Sequence, residues 1–410
     1  MKLSRPVLAP IHSTCILACL LAIPVGIAAG ALDALFGTVL LRIGSMRDQH
    51  LFALVPLLPI VGVCIVWAYR TLGKTSSRGM GLVFEVGQHR EREIPLRLIP
   101  LIMTSTWLTH LTGGSAGREG VAVQMGATLS HALSKRLGLT ERHGSRVFVI
   151  MGMAAGFAGL FHAPLAATLF GIEVLYAGQL AYDALAPSLI ASFIASGASH
   201  MLGLEGFNVA VALPSKPQLA TIGALTILGI VCAIVGRAFA LLLDWTKKQL
   251  AQRIPNPYAK VTLVGIALAA VLLLTGGRYC GLGTNLIDAC FNGQALLPWD
   301  WALKFTLTIV TLAAGFQGGE VTPLFSIGAS LAAIVAVPLG LDPVFAAALG
   351  YAAIFCSATN TFFAPVLIGA EIFGFNLIPY LFVVCAIAYT LNGDASIYGK
   401  QLINKIESLA

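Results

Sequence analysis

An all-α, polytopic membrane protein is the fold class this sequence predicts, on three observations. Of its 410 residues, 57% are hydrophobic and only 10% are charged, against about 25% charged in soluble domains. Apolar runs long enough for a hydrocarbon core of roughly 30 Å recur from end to end. The 43 glycines and 19 prolines suit broken, closely packed helices, which membranes tolerate where irregular backbone faces protein or a wet cavity.

Taken in order, the runs cover 11–43, 51–69, 98–112, 121–133, 147–177, 184–204, 217–243, 259–275, 300–315, 321–357 and 361–391. Several are too long for one span and others too short, so runs and spans do not correspond one to one. The start, MKLSRPVLAPIHSTCILACLL, has the composition of a secretory signal. Its apolar stretch continues past Gly30 into ALDALFGTVLL, which predicts a retained first helix. The net charge of +7 sits mostly in loops, with basic clusters at Lys2/Arg5, 70–97, 135–146 and Lys247/Lys248. By the positive-inside rule, Lys2 and Arg5 predict a cytoplasmic N-terminus, and Lys400 and Lys405 a cytoplasmic C-terminus. Topology therefore accounts for the charge, and no nucleic-acid partner is expected. The eight cysteines lie in apolar surroundings without a CxxC pair and read as core packing. No cofactor, metal or soluble regulatory domain is expected.

Compared with itself, the chain repeats. GMGLV (79–83) aligns with GLGTN (281–285), and GATL (126–129) with GASL (328–331), both at an offset of 202. GMAAGF (152–157) pairs with GYAAIF (350–355), and GIEV (171–174) with GAEI (369–372), at 198. The order and near-constant offset predict one transmembrane domain of two halves, about 10–210 and 215–400, joined near ALPSKPQ. Paired halves with glycine-interrupted apolar segments follow the plan of secondary transporters, whose site lies where broken helices meet near the midplane. Inverted topology is an inference from that class.

Glycine-rich turns open apolar helices at GMGL (79–82), GREG (117–120) and GGEVTP (318–323). Helix N-termini expose unpaired N–H groups and partial positive charge, so converging ones make an anion site; glycines serving only helix crossings are the competing reading. No Lys or Arg falls between Arg146 and Lys216, or between Lys304 and Lys400, yet Glu173, Glu320 and Glu371 lie there. Carboxylates without a local partner are candidate proton carriers. For the matched pair Glu173 and Glu371, bonding to backbone amides is the alternative role. Glu119 and Glu320, in glycine-flanked turns, point instead to function.

GREG before an apolar helix, GGEVTP in the second half and a tyrosine in ASIYGKQ together resemble the CLC anion channels and transporters, over nearly the whole chain. The resemblance implies a homodimer with one pathway per subunit, in which Glu119 is the gate. Its carboxylate competes with the anion, swings away and takes up a proton, and Tyr398 lies beside the central site. Three positions depart from the family's chloride-transporting pattern. Where those members have GSGIP, this chain has GMGLV, so Met80 replaces the anion-coordinating serine. Where they have GxFxP, GEVTP places Glu320, Val321 and Thr322 before Pro323. Where many exchangers carry an internal proton-relay glutamate, Val174 follows Glu173. All three resemble the fluoride/proton antiporter branch.

The resemblance thus implies fluoride and protons as substrates and a multi-pass protein of the cytoplasmic membrane. Glu119 and Glu320 would be the protonatable groups. Gly79, Met80, Gly81, Phe84, Gly117, Arg118, Gly120, Val321, Thr322 and Tyr398 would form the anion site. Fluoride is small and strongly hydrated, so its site must replace water with close donors, for which the Thr322 hydroxyl is a candidate. Met80 would shape the site or offer polarised C–H groups. Phe84 would present a ring edge, with packing as its alternative. Arg118 would anchor its turn or pair with an acidic neighbour. Chloride transport by a channel or exchanger is the runner-up. A more distant reading is an intramembrane serine hydrolase, because GGSAG (113–117) fits G-x-S-x-G with His110 and His162 as bases. That reading leaves the repeat unexplained, and a passive scaffold would need neither Glu119 nor Glu320.

Overall fold

The computed structural model describes residues 11–139, 144–213 and 219–403. Lys2, Arg5 and Lys405, on which the orientation of the termini rests, lie outside the described residues. So do the first ten positions of the signal-like start, residues 140–143 of one basic cluster and most of the expected junction. The chain is helical. The first group comprises α1 (Ile11–Gln49), α2 (Leu51–Leu54), α3 (Leu58–Ala68), α4 (Met80–Gly87), α5 (Leu98–Leu111), α6 (Glu119–Arg136), α7 (Gly144–Phe161), α8 (Pro164–Glu173) and α9 (Leu185–Met201). The second comprises α10 (Leu219–Arg253), α11 (Pro257–Leu274), α12 (Thr284–Phe291), α13 (Asp300–Ala314), α14 (Val321–Leu339), α15 (Pro343–Thr359), α16 (Phe363–Phe373) and α17 (Ile378–Thr390).

The overlong apolar runs break where backbone chemistry demands it. Run 147–177 becomes α7 and α8, parted at His162 (φ 59°) with Pro164 opening α8. Run 321–357 becomes α14 and α15. Gly340 takes φ 66°, and the Asp342 side chain caps α15 by accepting from Phe345 N at 2.8 Å. Run 361–391 divides at Gly374 (φ 117°). Among the described residues, six helical segments are long and apolar enough to span a membrane: Cys15–Gln49, Leu51–Gly87, Tyr182–Met201, Thr221–Arg253, Pro257–Leu274 and Val321–Leu339. Leu20, Ile60, Ile234 and Leu263 stand exposed on four of these segments, as lipid-facing side chains do. The cysteine reading needs correction. Five of the eight are buried, but Cys15 and Cys19 are half-buried and Cys64 is exposed.

The matched sequence segments mark places where backbones touch. A Cβ on Gly126 would run into the carbonyl of Gly152, and one on Gly156 into that of Ala122, so α6 and α7 cross at backbone contact. At the matched positions, Gly328 faces the Gly350 carbonyl and Gly350 faces that of Gly328, joining α14 to α15 in the same manner. Small residues permit such approach, and packing and weak polar contacts then hold the helices in lipid. The first alignment is two residues out in structural terms. Gly79 (φ 50°) precedes α4, but the residue preceding α12 is Gly283 (φ 85°), not Gly281.

Glu173 and Glu371 also act as a reciprocal pair. Glu173, at the end of α8, accepts from the backbone N–H groups of Phe362 (2.5 Å), Phe363 (3.3 Å) and Ala364 (3.2 Å) at the start of α16. Glu371, in α16, accepts from Leu165 (3.0 Å) and Ala166 (2.8 Å) at the start of α8. Each carboxylate supplies the acceptors that a buried helix N-terminus lacks.

Two stability predictions follow from these contacts. Gly156→Val lowers the unfolding free energy by about 3 kcal/mol through overpacking. Gly223→Ala, within α10 where a Cβ meets open space, raises it by about 0.5–1 kcal/mol, as thermal unfolding in detergent would report. Glu173→Ala strands three amides and costs about 2–3 kcal/mol; Glu371→Ala strands two and costs less in the same assay.

Candidate functional site

The residues that lead into α6 and α14 meet head to head. Gly117 N donates to Gly319 O at 2.6 Å and Gly319 N to Gly117 O at 2.8 Å, forming an isolated antiparallel bridge. Side chains do not fit here: a Cβ on Gly117 would lie 2.8 Å from Pro323 Cδ, and one on Gly319 3.0 Å from Gly120 N. Arg118 caps α6 and Glu320 caps α14, so Glu320 is matched in position to Arg118 rather than to Glu119.

Glu119 opens α6 and is completely buried. Its Oε2 accepts from Thr322 N at 3.1 Å, from the Thr322 hydroxyl and from Arg118 N at 3.3 Å. One carboxylate oxygen therefore occupies the N-terminus of α14, among three converging donors. The Thr322 hydroxyl, a candidate donor to the anion, donates here to Glu119.

A cavity of about 340 Å³ reaches this junction, lined by Gly79, Met80, Gly81, Phe84, Gly120, Glu320 and Tyr398 among others. Glu320 is half-buried there. Gly117, Arg118, Glu119, Val321 and Thr322 do not line it, because the junction itself closes its inner end. A larger cavity of about 690 Å³ lies near the start of α12, away from this junction.

Tyr398 reaches the cavity because the C-terminal segment is tied down. Strands β1 (Tyr176–Ala177) and β2 (Leu402–Ile403) pair in parallel. Gln88 Nε2 donates to Lys400 O at 2.7 Å, and Gln401 Nε2 to Val174 O at 3.1 Å. The Tyr398 ring lies 5.2 Å from that of Phe84, centroid to centroid, and its buried hydroxyl has no hydrogen-bond partner. Phe84 thus both packs and lines the cavity.

Several lining residues escaped the sequence reading. Gln124 stands one turn beyond Gly120 and donates to its carbonyl at 3.0 Å. Arg78, Lys247 and Lys400 line the mouth. Lys400 Nζ also pairs with Glu85 at 2.9 Å, and Arg78 with Glu85 and Glu91. Gly and Gln at helical spacing within α6 were a readable signal for Gln124. The distant mouth residues left none.

The GGSAG segment is a sealed loop. Ser115 is fully buried, and its Oγ lies 2.9 Å from both Thr308 Oγ1 and Lys304 Nζ. Lys304, itself completely buried, also donates to Gly281 O at 2.6 Å. It ties the loop before α6 to the loop before α12. Both ring nitrogens of His110 lie against carbonyl oxygens, those of Thr106 (2.9 Å) and Ala116 (3.0 Å). His162 lies against Ser199 at 3.4 Å. The Ser–His pair of the hydrolase reading is therefore not formed.

Comparison with known proteins agrees with this architecture. The chain is 34% identical over 386 residues to a chloride/fluoride channel protein of Pseudomonas syringae pv. tomato, covering 92% of this chain and 85% of the relative. It superposes on a solved CLC-type fluoride/proton antiporter with a TM-score of 0.93 at 45% identity, covering 95% of this chain and 98% of the other. A slow cyanobacterial Cl⁻/H⁺ antiporter shares the fold at 21% identity and a TM-score of 0.81, with 93% and 96% covered. Residues 61–393 match the voltage gated chloride channel family, and the chain belongs to that family, the CLC proteins.

Proposed function

We propose that this chain exports fluoride across the cytoplasmic membrane in exchange for protons, with Glu119 as the gate. The observation that carries this reading is the seat of the Glu119 carboxylate on Thr322 N–H, Thr322 O–H and Arg118 N–H, beside a cavity lined by Glu320. When ionised, Glu119 holds the place of the anion. When protonated it loses its attraction for the helix N-terminus, leaves, and frees three donors. A fluoride ion is close in size to a carboxylate oxygen and satisfies donors set for short hydrogen bonds. The likeness to the fluoride/proton antiporter supports the same choice of anion.

In this mechanism Glu320 takes the transported proton from the cavity and passes it toward the junction. Met80 and Phe84 shape the apolar wall and Tyr398 bounds the anion's path, while Gly79, Gly81, Gly117, Gly120 and Val321 supply backbone at close range. Arg118 contributes its amide to the seat, and its side chain lies outside the cavity. The halves 10–210 and 215–400 act as inverted repeats about the Gly117–Gly319 bridge. The molecule works as a homodimer with both termini in the cytoplasm and needs no cofactor, since ion gradients drive it.

Efflux from proteoliposomes loaded with fluoride or chloride, with proton uptake recorded together, tests this reading. Fluoride leaves with proton uptake and chloride leaves at least about tenfold more slowly; equal rates for the two anions would overturn the selectivity. Glu119→Gln abolishes proton coupling. Glu320→Ala slows coupled exchange by about tenfold or more, and an unchanged rate would make Glu320 structural.

A further inference from the structure

On the side of Glu119 away from the cavity lies a second charged cluster, which no sequence motif announced. Helices α6 and α7 run antiparallel with Gly156 against the Ala122 carbonyl. One turn further toward the start of α6, Arg118 comes level with the end of α7. Asp33, in the interior of α1, meets α7 at this level. It is 1% exposed, and only the absence of a side chain at Gly159 leaves room for its Oδ2. The Arg118 charge acts on both Asp33 and His162.

The hydrogen bonding around this cluster is incomplete. Asp33 Oδ2, Arg118 Nε and Nη1 and Glu119 Oε1 are all buried without a hydrogen-bond partner. Glu119 Oε1 lies 3.5 Å from Arg118 Nε. Glu119 is thus two-faced, with Oε2 satisfied by the seat on α14 and Oε1 turned toward Arg118. An Asp serving only as counter-ion to Arg118 would bond its guanidinium, and Asp33 Oδ2 does not. Buried polar atoms left without partners on neighbouring helices suit a site that exchanges protons through water.

We propose that Asp33 is the carboxylate through which Glu119 exchanges protons with the solution on the side opposite the cavity. This role presupposes fluoride/proton exchange by the chain. In the outward direction, the O–H bond of protonated Glu119 breaks as a bridging water accepts that proton. The water passes one of its own to Asp33, where a new O–H bond forms. Glu119 regains its charge and returns to its seat, and Arg118 stabilises whichever carboxylate is ionised. Tyr351, in α15, faces Glu119 and Arg118, and the remaining titratable groups at the cluster are His162, after α7, and His200, in the last turn of α9. Their rings lie 6.1 Å apart, and His200 is exposed.

The full-length chain in liposomes, with fluoride efflux and proton uptake followed from about pH 5 to about pH 8, tests the relay. Asp33→Asn should slow both fluxes at least about tenfold at the alkaline end and leave their ratio unchanged. The deficit should shrink toward acid pH, where protons reach Glu119 without a relay. Asp33→Glu should restore most of the rate, and Asp33→Ser, which also cannot carry the proton, repeats the test should Asp33→Asn not give a monodisperse protein. Rates within about twofold of the wild type throughout would overturn the relay. So would a constant fractional loss at every pH, which marks mere support of Arg118, or a changed ratio of fluoride to proton. Fluoride loss without proton uptake by the wild-type chain would instead sink the exchange reading, and the relay with it.

Discussion

Two hydrogen bonds between Gly117 and Gly319 determine where the rest of the pathway lies. They hold two helix starts nose to nose, with the positive ends of both dipoles aimed at one small volume. Like ends repel, so the arrangement requires a negative charge between them. The Glu119 carboxylate supplies it. In the proposed mechanism, competition between gate and anion follows from this electrostatic demand. The backbone-contact crossings at Gly126/Gly152 and Gly328/Gly350 brace the two helices so that they cannot relieve the repulsion by moving apart.

The seat favours a small, strongly hydrogen-bonded occupant because its donors are already in place. Thr322 contributes two donors from one residue, and its hydroxyl can follow either a carboxylate oxygen or an ion without backbone movement. Lys304 gives the loop before α6 a rigid base by holding Ser115 and the Gly281 carbonyl together. A buried ammonium bound only to neutral groups is costly, which argues that the position of this loop matters more than the stability lost.

Much of this was legible in the sequence because glycine marks close backbone approach. Three of the four matched segment pairs proved to be the helix crossings and the reciprocal Glu173/Glu371 caps, and GREG and GGEVTP proved to be helix starts. Legibility failed where function depends on contact between distant segments. The offset of 202 already sets Arg118 level with Glu320, and the Gly117–Gly319 bridge keeps that register, but the contact of Glu119 across it left no signal. The Thr322 hydroxyl reaches Glu119, 203 residues away in sequence, a contact that no motif announced. Asp33 sits in α1 among small residues with no periodic signal, and only Gly159, on another helix, gives it room.

The two helix starts are nearly equivalent in backbone and opposite in charge, and that difference makes the two sides of the gate chemically distinct. At matched positions, α6 is preceded by Arg118 and α14 by Glu320. On the cavity side a carboxylate, Glu320, lines a mouth that also holds Arg78, Lys247 and Lys400. On the far side an arginine faces buried carboxylates, so a proton must pass through a narrow polar cluster. An anion in the seat would meet the same three donors whichever side it came from, whereas in the proposed relay a proton meets different carboxylates on each side. In the proposed exchange, coupling arises because both ions use Glu119 at the point where the two routes cross.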